Sequence, residues 1–251
     1  MAGLRRRLPR DERGTSLTEL LITMLVFTVV IMATAALSIG FARTNAQNIS
    51  RQDQIDSGRV ASEAMSKTLR TAVMPSQLAL TCAGCTADAF VVGQDYSVQF
   101  YANVDNNGNL VGPSRVTYSI DTSGANAGKL IEKIQVPDSA VPSPAGYVYC
   151  DAEVTGAPAV CKARLKTRVV ASGIQTSTGT PVFSYYDWSG VRLNPATTGG
   201  SLPSASLAHV LAIELVVSVQ APNATKARPT TYIQRLTLPN AQAVMMQQQE
   251  N

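Results

Sequence analysis

Hydrophobic and polar positions divide this chain into three regimes. From Leu20 to Ala42 there is an uncharged apolar run of 23 residues, long enough to cross a bilayer as a helix. From Arg43 the sequence turns polar with no proline before Pro75. Within that stretch Ala61, Ala64, Met65, Thr68, Leu69, Ala72 and Val73 recur at i, i+3, i+4 and i+7, one stripe of an amphipathic helix. The two patterns predict one helix from Ser16 to about Met74, ended by Pro75 and close to 90 Å long at roughly 1.5 Å per residue. Gly58 is its expected weak point.

Beyond Pro75 the period changes to two. Val98 and Phe100 alternate with Ser97, Gln99 and Tyr101, and Val116, Tyr118 and Ile120 alternate with Thr117 and Ser119. Between them Asp105-Asn106-Asn107-Gly108-Asn109 reads as a hairpin-like turn, since Asn and Gly tolerate positive φ. Residues 130–136, 165–170 and 182–188 are further strand candidates, and the alternation is clearest over 211–219, followed by 232–238. The expected fold is α+β: a long N-terminal membrane-spanning helix packed on a mostly antiparallel sheet in a head domain. The polar tail 242–251 is expected to fray.

Charge adds an orientation. The formal net charge is +4, but Arg5, Arg6, Arg7, Arg10 and Arg13 against Asp11 and Glu12 concentrate it in the first 14 residues. The rest carries 16 basic and 15 acidic side chains. No Lys/Arg stripe interleaves with aromatics, so no specific nucleic-acid partner is predicted. The basic leader instead satisfies the positive-inside rule, placing residues 1–14 in the cytoplasm and everything after Ala42 outside. The expected organisation is a leader (1–14), a transmembrane helix (15–42), an amphipathic continuation (43–74) and one extracytoplasmic β-rich head (75–251).

The junction Arg13-Gly14-Thr15-Ser16-Leu17-Thr18-Glu19 sets one carboxylate at the edge of the apolar run. An ionised Glu beside hydrocarbon is expensive to desolvate and calls for a positive partner. No Lys or Arg follows before Arg43. A cut after Gly14 would free the α-amine of Thr15, a cation four residues before Glu19. Gly14-Thr-Ser-Leu-Thr-Glu19-Leu-Leu followed by an apolar helix resembles a type IV prepilin processing site. The resemblance implies cleavage between Gly14 and Thr15 by a prepilin peptidase, N-methylation of Thr15, and an assembly role for Glu19, which neutralises a neighbouring subunit's amine. Thr15 stands where Phe is usual, and Ala36 where major pilins often carry a helix-bending Pro. Two rival readings are a plain signal anchor and a cleaved signal peptide, for which Ala33-Thr-Ala35 offers a small-residue site. Residues 182–190 (Val-Phe-Ser-Tyr-Tyr-Asp-Trp-Ser-Gly) and 236–240 (Leu-Thr-Leu-Pro-Asn), with the large head, resemble the minor pilins of the PilW or J-type pseudopilin group.

Other chemistry is sparse. Cys82, Cys85, Cys150 and Cys161 admit structural disulfides, free or catalytic thiols, or zinc. An extracytoplasmic setting, the lack of a βαβ context and the lack of a second CxxC favour two short-loop disulfides, 82–85 and 150–161. Asp105–Asn109 lacks the EF-hand register, so a plain turn is expected there. His209 is the one histidine and cannot build a multi-His metal site. With no Gly-x-Ser-x-Gly, no catalytic residues, metal or cofactor are expected. Tyr185, Tyr186 and Trp188 read either as core aromatics or as a sugar- or protein-binding surface. The resemblance therefore implies a non-enzymatic structural subunit of a type IV pilus or type II secretion-like filament. Its partners would be a prepilin peptidase, other pilin or pseudopilin subunits and the membrane. The alternative is a membrane-anchored extracellular adhesin or binding module.

Overall fold

The computed structural model describes residues 16–79, 82–176, 180–195, 197, 199–221 and 228–241. The chain divides into two compact units, Met1–Ile49 and Ser50–Asn251. Helix α1 spans Leu17–Leu69. In the first unit every described residue is exposed, through an apolar stretch with an 18-residue mean hydropathy of 2.6. A helix of that length and composition is able to cross a membrane.

In the second unit the helix becomes a core element. Gln54, Gly58, Ala61, Ser62, Met65, Ser66 and Leu69 are buried, a stripe at helical spacing. The helix ends at Leu69, five residues before the expected stop. Backbone bonds give the reason. Val73 N–H donates to Tyr101 O (2.9 Å) and Asn103 N–H donates to Thr71 O (3.0 Å), so the chain leaves the helix to pair with a strand end. Pro75 then opens a one-turn helix, α2 (Pro75–Leu78), at a position where a missing N–H costs nothing.

Two antiparallel sheets follow, where the alternation alone suggested one. The first is a meander of β1 (Phe90–Gly93), β2 (Ser97–Ala102), β3 (Ser114–Ile120), β4 (Leu130–Gln135) and β5 (Leu165–Ala171). After the short helix α3 (Ala159–Ala163) and β5, the second sheet forms from β6 (Phe183–Tyr186), β7 (Arg192–Leu193), β8 (Ala212–Val219) and β9 (Thr230–Thr237), in the order β7-β6-β8-β9. Helix α4 (Ser204–Leu207) lies between β7 and β8. β1 and β7 are too short to show a period, and β6 stops at Tyr186 because Asp187 turns the chain.

Both sheets share one core with the helix. Val98, Phe100, Val116, Tyr118 and Leu130 of the first sheet join Ile213, Leu215, Val217 and Leu236 of the second around Ala61, Met65 and Leu69. One carboxylate is buried among them: Glu132, 2 % exposed. It stands in register with Tyr118 on one side and Arg168 on the other. The Tyr118 hydroxyl donates to its Oε1 at 2.5 Å, and Arg168 Nε donates to its Oε2. The Arg168 side chain is 64 % exposed, so the pair is buried at the carboxylate and wet at the guanidinium.

Against β9 the helix presents small side chains. Ser62 Oγ and Ser66 Oγ both donate to Gln234 Oε1 (3.0 and 2.5 Å), and Tyr232 OH donates to Ile55 O (3.0 Å). Gly58 is the contact point of this seam rather than a weak point, because a Cβ there would lie 2.5 Å from Tyr232 Cε2.

Two consequences are measurable. Gly58→Ala raises helix propensity by about 1 kcal/mol, but the ring of Tyr232 has to move, at roughly 1–3 kcal/mol for overpacking. The substitution is expected to destabilise the native protein and to stabilise a Tyr232→Ala background. Denaturant unfolding of the four variants that shows stabilisation in both backgrounds would refute the clash. Secondly, burial holds the Tyr118, Tyr149 and Tyr185 hydroxyls above their ordinary value of 10.0, with the bond to Glu132 adding to the effect at Tyr118. The unfolded chain ionises these groups first. The stability they contribute is therefore complete below pH 10 and lost as pH rises beyond it. Tyrosinate absorbance of these three should appear only with loss of near-ultraviolet dichroism. Their titration in the intact fold at the ordinary value would count against it.

Candidate assembly and membrane interface

The apolar segment of α1 begins with a capped turn. Ser16 Oγ accepts from Thr18 N–H at 3.3 Å and is 2.7 Å from Thr18 Oγ1. Ser16 and Glu19 thus hold the Ser-x-x-Glu spacing of a capping box at the head of an apolar run, a helix-start signal carried by the sequence itself. Glu19 is exposed in the first turn. A first-turn carboxylate gains about 0.3–1 kcal/mol from the helix dipole. Moving an acid into a membrane span costs up to about 2.5–3.5 kcal/mol at its centre. The dipole's contribution is smaller than that cost at the centre of a span. Gly14 and Thr15, the expected cleavage and methylation positions, and the leader 1–14 lie outside the described residues, as does the tail from residue 242.

From Leu20 to Thr44 the hydroxyls of the helix need no polar partner outside it. Thr23 Oγ1 donates to Leu20 O (2.8 Å), Thr28 Oγ1 to Met24 O (2.8 Å), Ser38 Oγ to Thr34 O (2.9 Å) and Thr44 Oγ1 to Gly40 O (3.0 Å). Thr34 Oγ1 reaches both Val30 O and Ile31 O. Each hydroxyl is satisfied by the turn before it, which is what a helix in lipid or among other apolar helices requires. Leu21, Ile22, Leu25, Phe27, Val29, Met32, Leu37 and Phe41 are all exposed, so apolar groups cover the whole circumference. A patch of this extent has to be covered in use. From Leu20 to Ala42 the helix rises about 33 Å, against a hydrocarbon core of about 30 Å.

The head's other candidates fall apart as a site. Cys82–Cys85 and Cys150–Cys161 are disulfides. The first braces one loop against another, and the second ties a connection to the sheet. The first sits against residues 143–146, with Gly84 so close that a Cβ would lie 2.1 Å from Pro144 O. The second closes the long β4–β5 connection, whose Cys150 O accepts from Gln135 Nε2 (2.5 Å) while Tyr149 OH donates to Pro113 O (2.6 Å). His209 is exposed behind α4, and no group of three or more metal-ligating side chains occurs among the described residues. Asp105 accepts from Lys166 Nζ at 2.7 Å.

The three aromatics do not share a surface. Tyr185 is buried and donates to Gln94 O (2.9 Å). Tyr186 lies under the Arg235 guanidinium, 3.8 Å from ring centroid to Cζ, and its hydroxyl is 3.3 Å from Glu214 Oε1. Trp188 alone is open, 70 % exposed on the turn after β6. That turn is built by Asp187 Oδ1, which accepts from Ser189 Oγ (2.8 Å), Ser189 N–H (2.9 Å) and Val191 N–H (2.9 Å). The Ser189 hydroxyl foremost, then these amides, hold the Asp187 carboxyl below its ordinary value.

No protein-family model matches the chain, and no curated protein or solved structure matches it.

Proposed function

We propose that this chain is a minor pilin or pseudopilin, a structural subunit of a type IV pilus or type II secretion-like filament. It is made with its N-terminus in the cytoplasm, cut between Gly14 and Thr15, and assembled through its N-terminal helix. The observation that carries this reading is a helix apolar on every side from Leu20 to Ala42, with self-satisfied hydroxyls and a lone carboxylate, Glu19, in its first turn. In the bilayer, lipid covers the apolar surface. In a filament, neighbouring helices replace the lipid, and the α-amine of a neighbour's Thr15 supplies the cation that Glu19 lacks.

The head in this reading is cargo and wall. Its core encloses residues 54–69 of the same helix that polymerises, so a subunit drawn into a filament brings a folded extracytoplasmic domain with it. The stripe Gln54, Gly58, Ser62 and Ser66 is thereby given a function, since it anchors residues 54–69 of the helix in the head.

Co-expression with a prepilin peptidase, followed by intact mass and N-terminal sequencing, is the test. A mature chain beginning at Thr15, and an uncut chain for Gly14→Ala, are expected. Glu19→Ala should be cut normally yet enter filaments poorly. A wild-type chain left uncut, or one beginning near Ala36, would remove the pilin reading and leave an anchored or secreted head domain.

A further inference from the structure

The tip between β2 and β3 carries chemistry that the assembly reading does not use. Asn107-Gly108 is the one Asn-Gly step in the chain. Both residues are exposed, Gly108 has φ of 64° and ψ of 20°, and Asn109 after it has φ of 57°. The surrounding loop is held by a different residue. Asn106 Nδ2 donates to Asn103 Oδ1 (2.8 Å) and Asn109 Oδ1 (3.3 Å), while Asn106 Oδ1 accepts from Val111 N–H (2.9 Å) and Gly112 N–H (3.0 Å). The amides of Asn103, Asn106 and Asn109 are thus all engaged. That of Asn107 makes no side-chain hydrogen bond among the described residues. The N–H groups that close the turn belong to Asn109 and Leu110, at 3.2 and 3.3 Å, and not to Gly108.

We infer that Asn107 is a site of spontaneous deamidation, a slow modification that places a new carboxylate on the tip of the head. The backbone nitrogen of Gly108 attacks Asn107 Cγ. The N–Cγ bond forms, the Cγ–Nδ2 bond breaks, and ammonia leaves with the proton that Gly108 N–H gives up. Water then opens the five-membered succinimide. Attack at the former side-chain carbonyl yields aspartate, and attack at the main-chain carbonyl yields isoaspartate. No oxidant, metal or enzyme is needed, and water is the only co-reactant.

The residue that follows, and the free amide, select Asn107 over its neighbours. Asn103, Asn106 and Asn109 precede Val104, Asn107 and Leu110, whose side chains obstruct the approach of the following nitrogen, whereas Gly108 has none. Only isoaspartate changes the backbone: the main chain then runs through the β-carbon, and the Asn107 carbonyl that accepts from Leu110 N–H leaves it. Because Asn106 holds the base of the loop, the change stays local. Either product adds a negative charge two residues from Asp105, which is ion-paired with Lys166 at 2.7 Å.

The test is peptide mapping of the folded full-length chain in detergent micelles after incubation at mildly alkaline pH. The peptide containing Asn107 should gain the mass of an NH-to-O exchange and split into aspartate and isoaspartate forms. Asn103, Asn106 and Asn109 should stay unmodified. Gly108→Ala should abolish the change over the same interval, with dichroism confirming that the variant is folded. An unmodified Asn107 in the folded chain, while the same segment deamidates after unfolding, would overturn the inference. So would equal modification at Asn106, or a Gly108→Ala chain that deamidates at the wild-type rate.

Discussion

One constraint organises this molecule: a single helix has to be apolar all round in its first half and fit closely into a folded head in its second. The close fit is achieved with small and polar groups rather than large apolar ones. Gly58, Ser62 and Ser66 succeed one another at four-residue intervals, and β9 lies against that ridge with Tyr232 and Gln234 reaching the helix. Leucines at those places would hold β9 away and leave Gln234 and the Ile55 carbonyl without these bonds. Burying a serine hydroxyl unpartnered costs about 1–3 kcal/mol; Gln234 Oε1 stands within bonding distance of both hydroxyls, and Ser62 O stands 2.6 Å from Ser66 Oγ as well. Gln54 extends the principle: with its amide turned so that oxygen and nitrogen exchange places, the buried group accepts from Ala221 N–H (3.2 Å) and donates to Arg228 O (3.1 Å).

The opposite flank of the helix meets the first sheet, and there too a polar group is enclosed. Glu132 has a hydroxyl on one side and a guanidinium on the other, contributed by the adjacent strands β3 and β5. Such a set stabilises little in total, since desolvation offsets much of the attraction, but it discriminates between registers. A slip of β4 by one residue would turn Glu132 outward and bring its neighbours Ile131 and Lys133 to the helix side. Tyr118 ties the arrangement to the helix, its hydroxyl standing 3.3 Å from Ala64 O. The outer face of the same sheet is closed by the β4–β5 connection. Tyr149 packs on Tyr101 at 5.8 Å and under Arg115 at 4.9 Å, and the Cys150–Cys161 disulfide fixes the far end of that excursion. Loops 82–85 and 143–146, with Gly84 and Gly146 backbone to backbone, brace one end of the head.

Much of this was readable in the linear pattern, for reasons that are local. The apolar run needs no tertiary information, because hydropathy over 23 residues decides it. The strands at Ser97–Ala102, Ser114–Ile120 and Ala212–Val219 alternate cleanly because one face is core and the other is not. Asp105–Asn109 announced a turn through residues that accept positive φ, and Asp105, Gly108 and Asn109 adopt it. The cysteine pairs were separable because short spacings along the chain leave few sensible partners.

What the pattern could not carry were decisions made by distant contacts. The helix stops at Leu69 rather than at Pro75 because Thr71 and Val73 are claimed by β2, a competition between backbone partners some thirty residues apart. Gly58 looks like a flaw in a helix until Tyr232, far along the chain, is seen to occupy the place of its missing Cβ. Nothing in the run Leu130-Ile-Glu-Lys-Ile-Gln135 marks Glu132 for burial, and only the meander, by setting Tyr118 and Arg168 on either side, makes it an interior acid. The division of the nine strands among the described residues into two sheets likewise follows from pairing, which hydrophobic period does not encode. The sequence by itself determined where this protein needs an apolar environment and where it has a core, because transfer free energy belongs to individual residues. The tertiary structure decided which small and charged side chains could enter that core, because only geometry supplies their partners.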